Sequence, residues 1–326
     1  MSGLLFHRVN IVSVDDYKEE SKKLNTTLCA IVTGANRGIG FEICRQLATE
    51  GVEVILTSRN ESRGLEAVEK LNISGLSSVI FHQLDINNPT SIACLAKFIE
   101  TRFKKLDILI NNAAEIGIIM HKEFQTGGGF LQVADKKAHL LTNVIEEPYE
   151  VGEQCLKTNY YATKAVTETL VPLLHLSKSP RIVNITSTYG DLYFLHNKML
   201  KEELQDIDNL TEERIDEIIK WFLMDFKTAK LQENGWPLTV SAYKVSKAAL
   251  NAYTRLLAKK FKNIMVNCVH PGYVLTDMTC QTGFITVEEG AKGPVMAALL
   301  PDDGPSGVYF NQTKIAPFFC NKWIIE

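Results

Sequence analysis

Tyr243 and Lys247 stand four positions apart in Ser241-Ala242-Tyr243-Lys244-Val245-Ser246-Lys247, a spacing that puts both on one face of a helix. A tyrosine hydroxyl, with an ordinary pKa of about 10, exchanges protons at neutral pH only where a nearby cation stabilises its phenolate. Lys247 is placed to be that cation. Ser187, in Asn184-Ile185-Thr186-Ser187-Thr188, offers a hydroxyl that can hold a carbonyl oxygen while Tyr243 gives that oxygen a proton. Taken alone, Tyr-x-x-x-Lys is more often the spacing of an accidental helical pair.

A second cluster supplies what such a proton transfer would need beside it. Thr33-Gly34-Ala35-Asn36-Arg37-Gly38-Ile39-Gly40 is a glycine-rich turn that leaves a β-branched run and opens a helix. Backbone N–H groups and the helix dipole there can hold a pyrophosphate, although glycine also serves in purely structural tight turns. The end of the second strand would then meet the adenosine ribose, where an acid favours a 2′-hydroxyl and a base favours a 2′-phosphate. The chain offers Thr57-Ser58-Arg59-Asn60, with no acid. Arg59 and Arg37 therefore point to NADP(H) over NAD(H), the alternative being two solvated surface arginines. Asp85 can accept from the adenine amino group or cap the following helix. Asn111 and Asn112 fall at another strand end and can line the site or complete a loop. A dinucleotide hydride donor, Ser187 and Tyr243 together amount to carbonyl reduction.

The elements that position these residues are legible as alternation. Six apolar runs, at 28–33, 52–58, 79–84, 106–110, 181–186 and 264–269, are separated by helix-length stretches. Strands buried on both faces with intervening helices indicate an α/β, Rossmann-type doubly wound parallel sheet. A seventh strand is expected at 307–310. Ile43 and Leu47 lie four apart on the face that would pack on the sheet, and Gly51 ends that helix. Two stretches exceed the repeating unit: 115–149, with its Gly127-Gly128-Gly129 run, and 192–237. Both read as insertions into one domain spanning 28–315. In the second, Thr211 is placed to cap a helix whose Ile215, Ile218, Ile219, Phe222, Leu223 and Phe226 form an apolar face. The expectation for 1–27 is a mobile extension, and for 316–326 a tail.

Composition narrows the rest. The chain has 326 residues, 45% hydrophobic and 22% charged, with net charge −3, which gives no electrostatic reason for nucleic-acid or anionic-membrane binding. Its apolar runs fall far short of the roughly 18 residues of a membrane span, and the N-terminal stretch lacks a continuous apolar signal core. Seven scattered cysteines without a C-x-x-C pair argue against a disulfide framework and against a zinc site, so no metal is expected and a cytoplasmic location fits.

In this order and spacing, the motifs resemble the short-chain dehydrogenase/reductase family over about 28–310. The resemblance implies one domain with a seven-stranded parallel sheet and a tetrad of Asn159, Ser187, Tyr243 and Lys247. Asn159 would hold a water in a proton relay to Lys247, and Lys247 would also bind the nicotinamide ribose. In Pro271-Gly272-Tyr273-Val274-Leu275-Thr276, the resemblance places Val274 and Thr276 against the nicotinamide carboxamide. Ala114 departs from the glycine that commonly follows Asn-Asn-Ala in the family. The long separation of Ser187 from Tyr243 is similar to that of the monomeric carbonyl reductases and of plant menthone, neomenthol and salutaridine reductases. A helix in that insertion would cover the face other members use to dimerise, implying a monomer.

The function so implied is reversible NADPH-dependent reduction of a ketone to a secondary alcohol on an apolar small molecule, such as a terpenoid or alkaloid ketone. Tyr189, Trp221, Tyr273 and Phe284 are the candidate pocket residues, although aromatics at helical spacing, Trp221 above all, are more often core. The alternatives are an enone C=C reductase, whose family representatives lack the tyrosine, and a catalytically silent NADPH-binding sensor or scaffold.

Overall fold

The β-branched runs fold as strands within two residues of their expected limits: β1 (Cys29–Val32), β2 (Glu53–Ser58), β3 (Val79–Gln83), β4 (Ile108–Asn111), β7 (Arg181–Ile185) and β8 (Met265–His270). The computed structural model describes residues 27–120 and 144–319. The extension expected over 1–27, except for Thr27, the Gly127-Gly128-Gly129 run and the tail from Cys320 onward lie outside the described residues.

With β9 at Tyr309–Asn311 and β10 at Lys314–Ala316, the main sheet has the order β10-β9-β8-β7-β4-β1-β2-β3. Seven strands, including β9 (Tyr309–Asn311), run parallel to their neighbours. These are the seven expected strands, and the structure adds an eighth. β10 (Lys314–Ala316) pairs antiparallel with β9 after a turn in which Gln312 takes φ +56. The expected domain limit at 315 therefore runs through a strand. Three residues at a sheet edge leave too short a pattern to read as periodic.

Alternation along each strand divides the core. Ala30 and Val32 of β1 face α1 (Gly38–Thr49), α2 (Glu61–Ile73) and α9 (Val287–Ala298), packing with Ile43, Leu47, Val68, Leu71 and Val295. Cys29 and Ile31 face the other layer, with Ile92 and Leu95 of α3 (Pro89–Arg102), Val166 and Leu170 of α5 (Thr163–Leu174), and α8 (Ser241–Lys260). The inner parallel strands are thus covered on both sides, as a parallel sheet requires.

The described ends of the first insertion pair as a two-stranded neck, β5 (Ile119–Met120) against β6 (Ile145–Glu146), which leads into α4 (Tyr149–Leu156). The second holds α6 (Lys198–Gln205) and α7 (Glu212–Lys227). Thr211 caps α7 by accepting from the Arg214 N–H at 3.1 Å, with Glu212 and Glu213 at the positive end of the dipole. Its apolar stripe, Ile215, Ile218, Ile219 and Phe222, is buried, and α7 packs along α8. Among the described residues no helix is long and apolar enough to cross a membrane, no His/Cys/Asp/Glu group could hold a metal, and the six described cysteines are free.

Candidate active site

A cleft of about 1090 Å³ opens over the carboxyl ends of the strands where β1 meets β4, the point at which strand order reverses. Ligands in open α/β sheets bind at such a reversal, where neighbouring loops part. Every residue expected to hold cofactor or substrate lines this cleft except Trp221. Of the expected tetrad, Ser187, Tyr243 and Lys247 line it, while Asn159 is buried and does not.

At one end stands the glycine turn. Gly34 has φ +62, and a Cβ there would come within 2.9 Å of Ala113, so the position needs glycine for both its backbone and its contact. α1 begins immediately after, with no side-chain cap from Arg37 on its leading N–H groups and no acid in its first turn. Its leading N–H groups are therefore left to an anion. Asn36, Gly38, Ile39 and Gly40 complete that wall. Asn112 fixes the turn from β4, its amide donating to the carbonyls of Thr33 at 2.8 Å and Gly34 at 3.1 Å. Asn111, by contrast, is buried and bonds Thr167 and Asn184. An uncapped helix start, left-handed glycine and two arginines fit a dinucleotide lying with its pyrophosphate at the turn.

Arg59 lines the cleft at the end of β2, and Arg37 is ion-paired to Asp277 on the opposite wall. Asp85 lines the cleft too, but it is not the cap of α3. Its Oδ1 accepts from the Asn87 N–H at 3.0 Å, and the cap is Asn88, which accepts from Thr90 and Ser91 ahead of Pro89.

At the other end the residues expected to form the tetrad come together from three elements. Ser187 stands two residues past the end of β7, in extended conformation, its Oγ accepting from the Tyr189 N–H at 3.1 Å. Tyr243 and Lys247 occupy the first two turns of α8, both buried. Gly190 brings the two together, since a Cβ there would meet the Lys247 carbonyl oxygen at 2.9 Å and the Asn251 amide at 2.6 Å. Asn251 then stitches both ends of the serine loop to α8, accepting from the Thr186 hydroxyl at 2.6 Å and donating to the Gly190 carbonyl at 3.1 Å. Sequence reasoning missed Asn251, yet Tyr243, Lys247 and Asn251 recur every four residues and mark one helical stripe.

Burial pushes the Tyr243 phenol above its ordinary range, the nearby Cys155 adds to this, and the hydrogen-bonded Ser187 hydroxyl works against it. Tyr243 is thereby kept protonated, as a donor must be. Burial pulls Lys247 down to about 8. Its ammonium donates to the Ile185 carbonyl at 2.8 Å and stands over the Tyr243 ring, 5.5 Å from its centre. Asn159 lies in a π-helical turn, Lys157–Ala162, between α4 and α5. Such bulges recur at functional sites because they redirect side chains. Its amide clamps Glu115, accepting from that residue's N–H at 2.8 Å and donating to its carbonyl at 2.8 Å, and it donates to the Ser246 hydroxyl at 3.0 Å. The side chain thus ties the loop after β4 to α8.

The remaining wall is aromatic. Tyr189 stands edge-on to Tyr243 with ring centres 6.4 Å apart. Pro271 and Gly272 lead from β8 into Tyr273, whose ring meets that of Phe284 at 5.2 Å. The Phe284 N–H donates to the Tyr273 carbonyl, and Leu275 pairs likewise with Ile285, closing the segment that carries Val274 and Thr276 on itself. Trp221 is elsewhere. It packs at 5.1 Å against Trp236, whose indole N–H donates to the buried Asp225. The helical spacing of Trp221 reflected the core of the insertion. Gln312, in the turn between β9 and β10, and Glu115 also line the cleft, and no motif marks them.

A family model described as short chain dehydrogenase matches residues 28–199, and one described as Enoyl-(Acyl carrier protein) reductase matches 228–295. The chain is 52% identical over 294 residues to a (+)-neomenthol dehydrogenase of Arabidopsis thaliana, covering 89% of this chain and 97% of that protein. Among solved structures, salutaridine reductase from Papaver somniferum superposes with a TM-score of 0.80 at 47% identity, covering 87% of this chain and 99% of that one. Menthone neomenthol reductase from Mentha piperita gives 0.77 at 44% identity, over 89% of this chain and 100% of its own.

Proposed function

Because the chain belongs to the short-chain dehydrogenase family of oxidoreductases, we propose that it reduces a ketone on an apolar small molecule to a secondary alcohol, reversibly and with NADPH. Neomenthol, menthone and salutaridine are the substrates or products named by its relatives, so terpenoid and alkaloid ketones are the class to test. The observation that carries the reading is the convergence of Ser187, Tyr243 and Lys247 at one wall of a cleft whose other end is the glycine turn.

A reduced nicotinamide bound in the cleft supplies hydride to the carbonyl carbon. Gly34, Gly38 and the open start of α1 would hold its pyrophosphate, Arg37 and Arg59 its 2′-phosphate, and Asp85 its adenine. Lys247 would hold the nicotinamide ribose, with Val274 and Thr276 at the carboxamide. The chain's own part is the proton. The Ser187 hydroxyl, its Oγ oriented by the Tyr189 N–H, donates to the substrate oxygen and fixes it beside Tyr243. Tyr243 gives its proton to that oxygen as the C=O bond becomes C–O–H. Lys247, charged below about pH 8, stabilises the phenolate left behind. Asn159 holds the loop after β4 against α8, so that the wall facing the reaction keeps its shape. Tyr189, Tyr273 and Phe284 provide apolar surface for the substrate skeleton and exclude water.

The packing of α7 on α8 covers the face that the sequence reading assigned to dimerisation, which supports a monomer. The test of function is NADPH oxidation against a panel of monoterpenoid and alkaloid ketones, with NADH in parallel and products identified by chromatography. Alcohol formed with NADPH preferred is the expected result. A product that keeps its carbonyl and loses a conjugated C=C bond would establish an enone reductase instead, and tight NADPH binding without turnover would favour a sensor.

A further inference from the structure

A helix's leading N–H groups have no partner within the helix, and the residue ahead of it normally supplies a side-chain oxygen. α8, which carries Tyr243 in its first turn, lacks that. Val240 occupies the position, in left-handed conformation at φ +49 and with no oxygen to offer. The missing acceptor comes from 93 positions upstream. The Glu147 carboxylate accepts from the Val240 N–H through Oε1. Through Oε2 it accepts from the Ser241 N–H at 2.7 Å and the Ser241 hydroxyl at 2.6 Å. A negative charge there also faces the positive end of the α8 dipole.

Glu147 follows directly on β6, so this carboxylate pins the neck of the first insertion to the helix that holds the proton donor. The same turn is gripped from its other side. Lys244 is 2% exposed, its ammonium 4.6 Å from the Phe194 ring centre and 5.2 Å from that of Tyr189, and it donates to the Thr239 hydroxyl at 3.2 Å. Burial pushes Glu147 up, while its three donors and the charge of Lys244 hold it down.

We propose that Glu147 is a positioning residue for carbonyl reduction: by capping α8 from outside, it holds the helix's first turn, and with it the Tyr243 hydroxyl, beside Ser187. This rests on Tyr243 being the proton donor. A general acid must lie within hydrogen-bond reach of the oxygen it serves, and a displacement of about 1 Å can cost on the order of 10²-fold in rate. Without the carboxylate, two N–H groups and a hydroxyl lose their acceptor and the first turn frays. The glycine turn at the far end of the cleft is untouched.

The experiment compares the full-length wild type with Glu147→Ala and Glu147→Gln. It measures kcat on a ketone that the wild type reduces, the NADPH dissociation constant by fluorescence, and amide hydrogen exchange over residues 238–247. In Glu147→Ala, kcat is expected to fall about 10- to 100-fold, with NADPH binding within about twofold and faster exchange at the start of α8. Glu147→Gln, which keeps one acceptor oxygen, is expected to recover part of that loss and serves as the test variant if the alanine protein does not fold. Unchanged exchange overturns the cap. Faster exchange with kcat within about twofold overturns the catalytic role, as does an equal loss of turnover and NADPH binding. A wild type that turns over no ketone sinks the reductase reading instead, and the exchange measurement, made without substrate, still decides the cap.

Discussion

Arg37 and Asp277 meet across the mouth of the cleft, guanidinium Nη1 to carboxylate Oδ2 at 2.5 Å. One belongs to the glycine turn, the other to the short turn Asp277–Thr279 that follows Thr276. Their side chains are 66% and 58% exposed, so water and salt screen the pair and its worth is at most about 1 kcal/mol. A 2′-phosphate drawing on Arg37 must compete with Asp277 for the same guanidinium.

Asp277→Asn removes that competitor. We expect NADPH to bind up to about fivefold more tightly, the factor corresponding to about 1 kcal/mol, with NADH little changed. Fluorescence titration at low and high salt checks this, since the gain should shrink as salt rises. Weaker NADPH binding in the variant would mean that Asp277 holds Arg37 in place.

Arg59→Ala separates a phosphate ligand from a solvated surface arginine. Hydrogen bonds to charged groups contribute about 1.5–3 kcal/mol, so NADPH affinity should fall by roughly 10- to 100-fold while NADH affinity stays. Equal losses for both cofactors would place Arg59 away from the 2′-phosphate.

Tyr243→Phe removes only the hydroxyl. Turnover should drop by about 10²–10⁴-fold, the usual contribution of a general acid, with the NADPH dissociation constant nearly unchanged. Near-normal turnover would strip Tyr243 of its role.

The pH dependence follows from Lys247. Burial disfavours its charged form and pulls it to about 8, so the ammonium persists below that pH and is lost above it. Reduction needs the charged form, and kcat/KM for NADPH, which reports the free enzyme, should be level below about pH 8. Above it the value should fall about tenfold per pH unit. In Lys247→Arg the guanidinium does not titrate, so the falling limb should disappear from a lower plateau. A wild-type profile still level at high pH would contradict this.

Trp221 and Phe284, both sequence candidates for the pocket, should now behave differently. Trp221→Ala should lower the melting temperature and leave the ketone KM within about twofold, because it loses a Trp236 contact of a kind that contributes about 0.5–1.5 kcal/mol beyond burial. Phe284→Ala should raise KM for apolar ketones severalfold at unchanged melting temperature, since its ring is largely exposed at the cleft. Steady-state kinetics and thermal melts on both variants decide it.

The parallel sheet, the glycine turn and the Tyr243–Lys247 stripe were legible in the sequence because each is a local pattern. Two-sided burial makes continuous apolar runs, a tight anion-binding turn needs glycine, and two side chains on one helical face must recur at four. Thr211 likewise announced the helix it caps. Tertiary structure decided whatever depends on residues far apart in the chain. The cap of α8 comes from Glu147, and Asn251 holds the serine loop, through hydrogen bonds to segments that sequence spacing does not connect. Trp221 went to the core because Trp236 and Asp225, not the helical spacing, determine what its face meets. Arg37 found Asp277 only when the loop after β8 folded over the glycine turn. Spacing along one helix or strand determines which side chains share a face, and the packing of distant segments determines what that face touches.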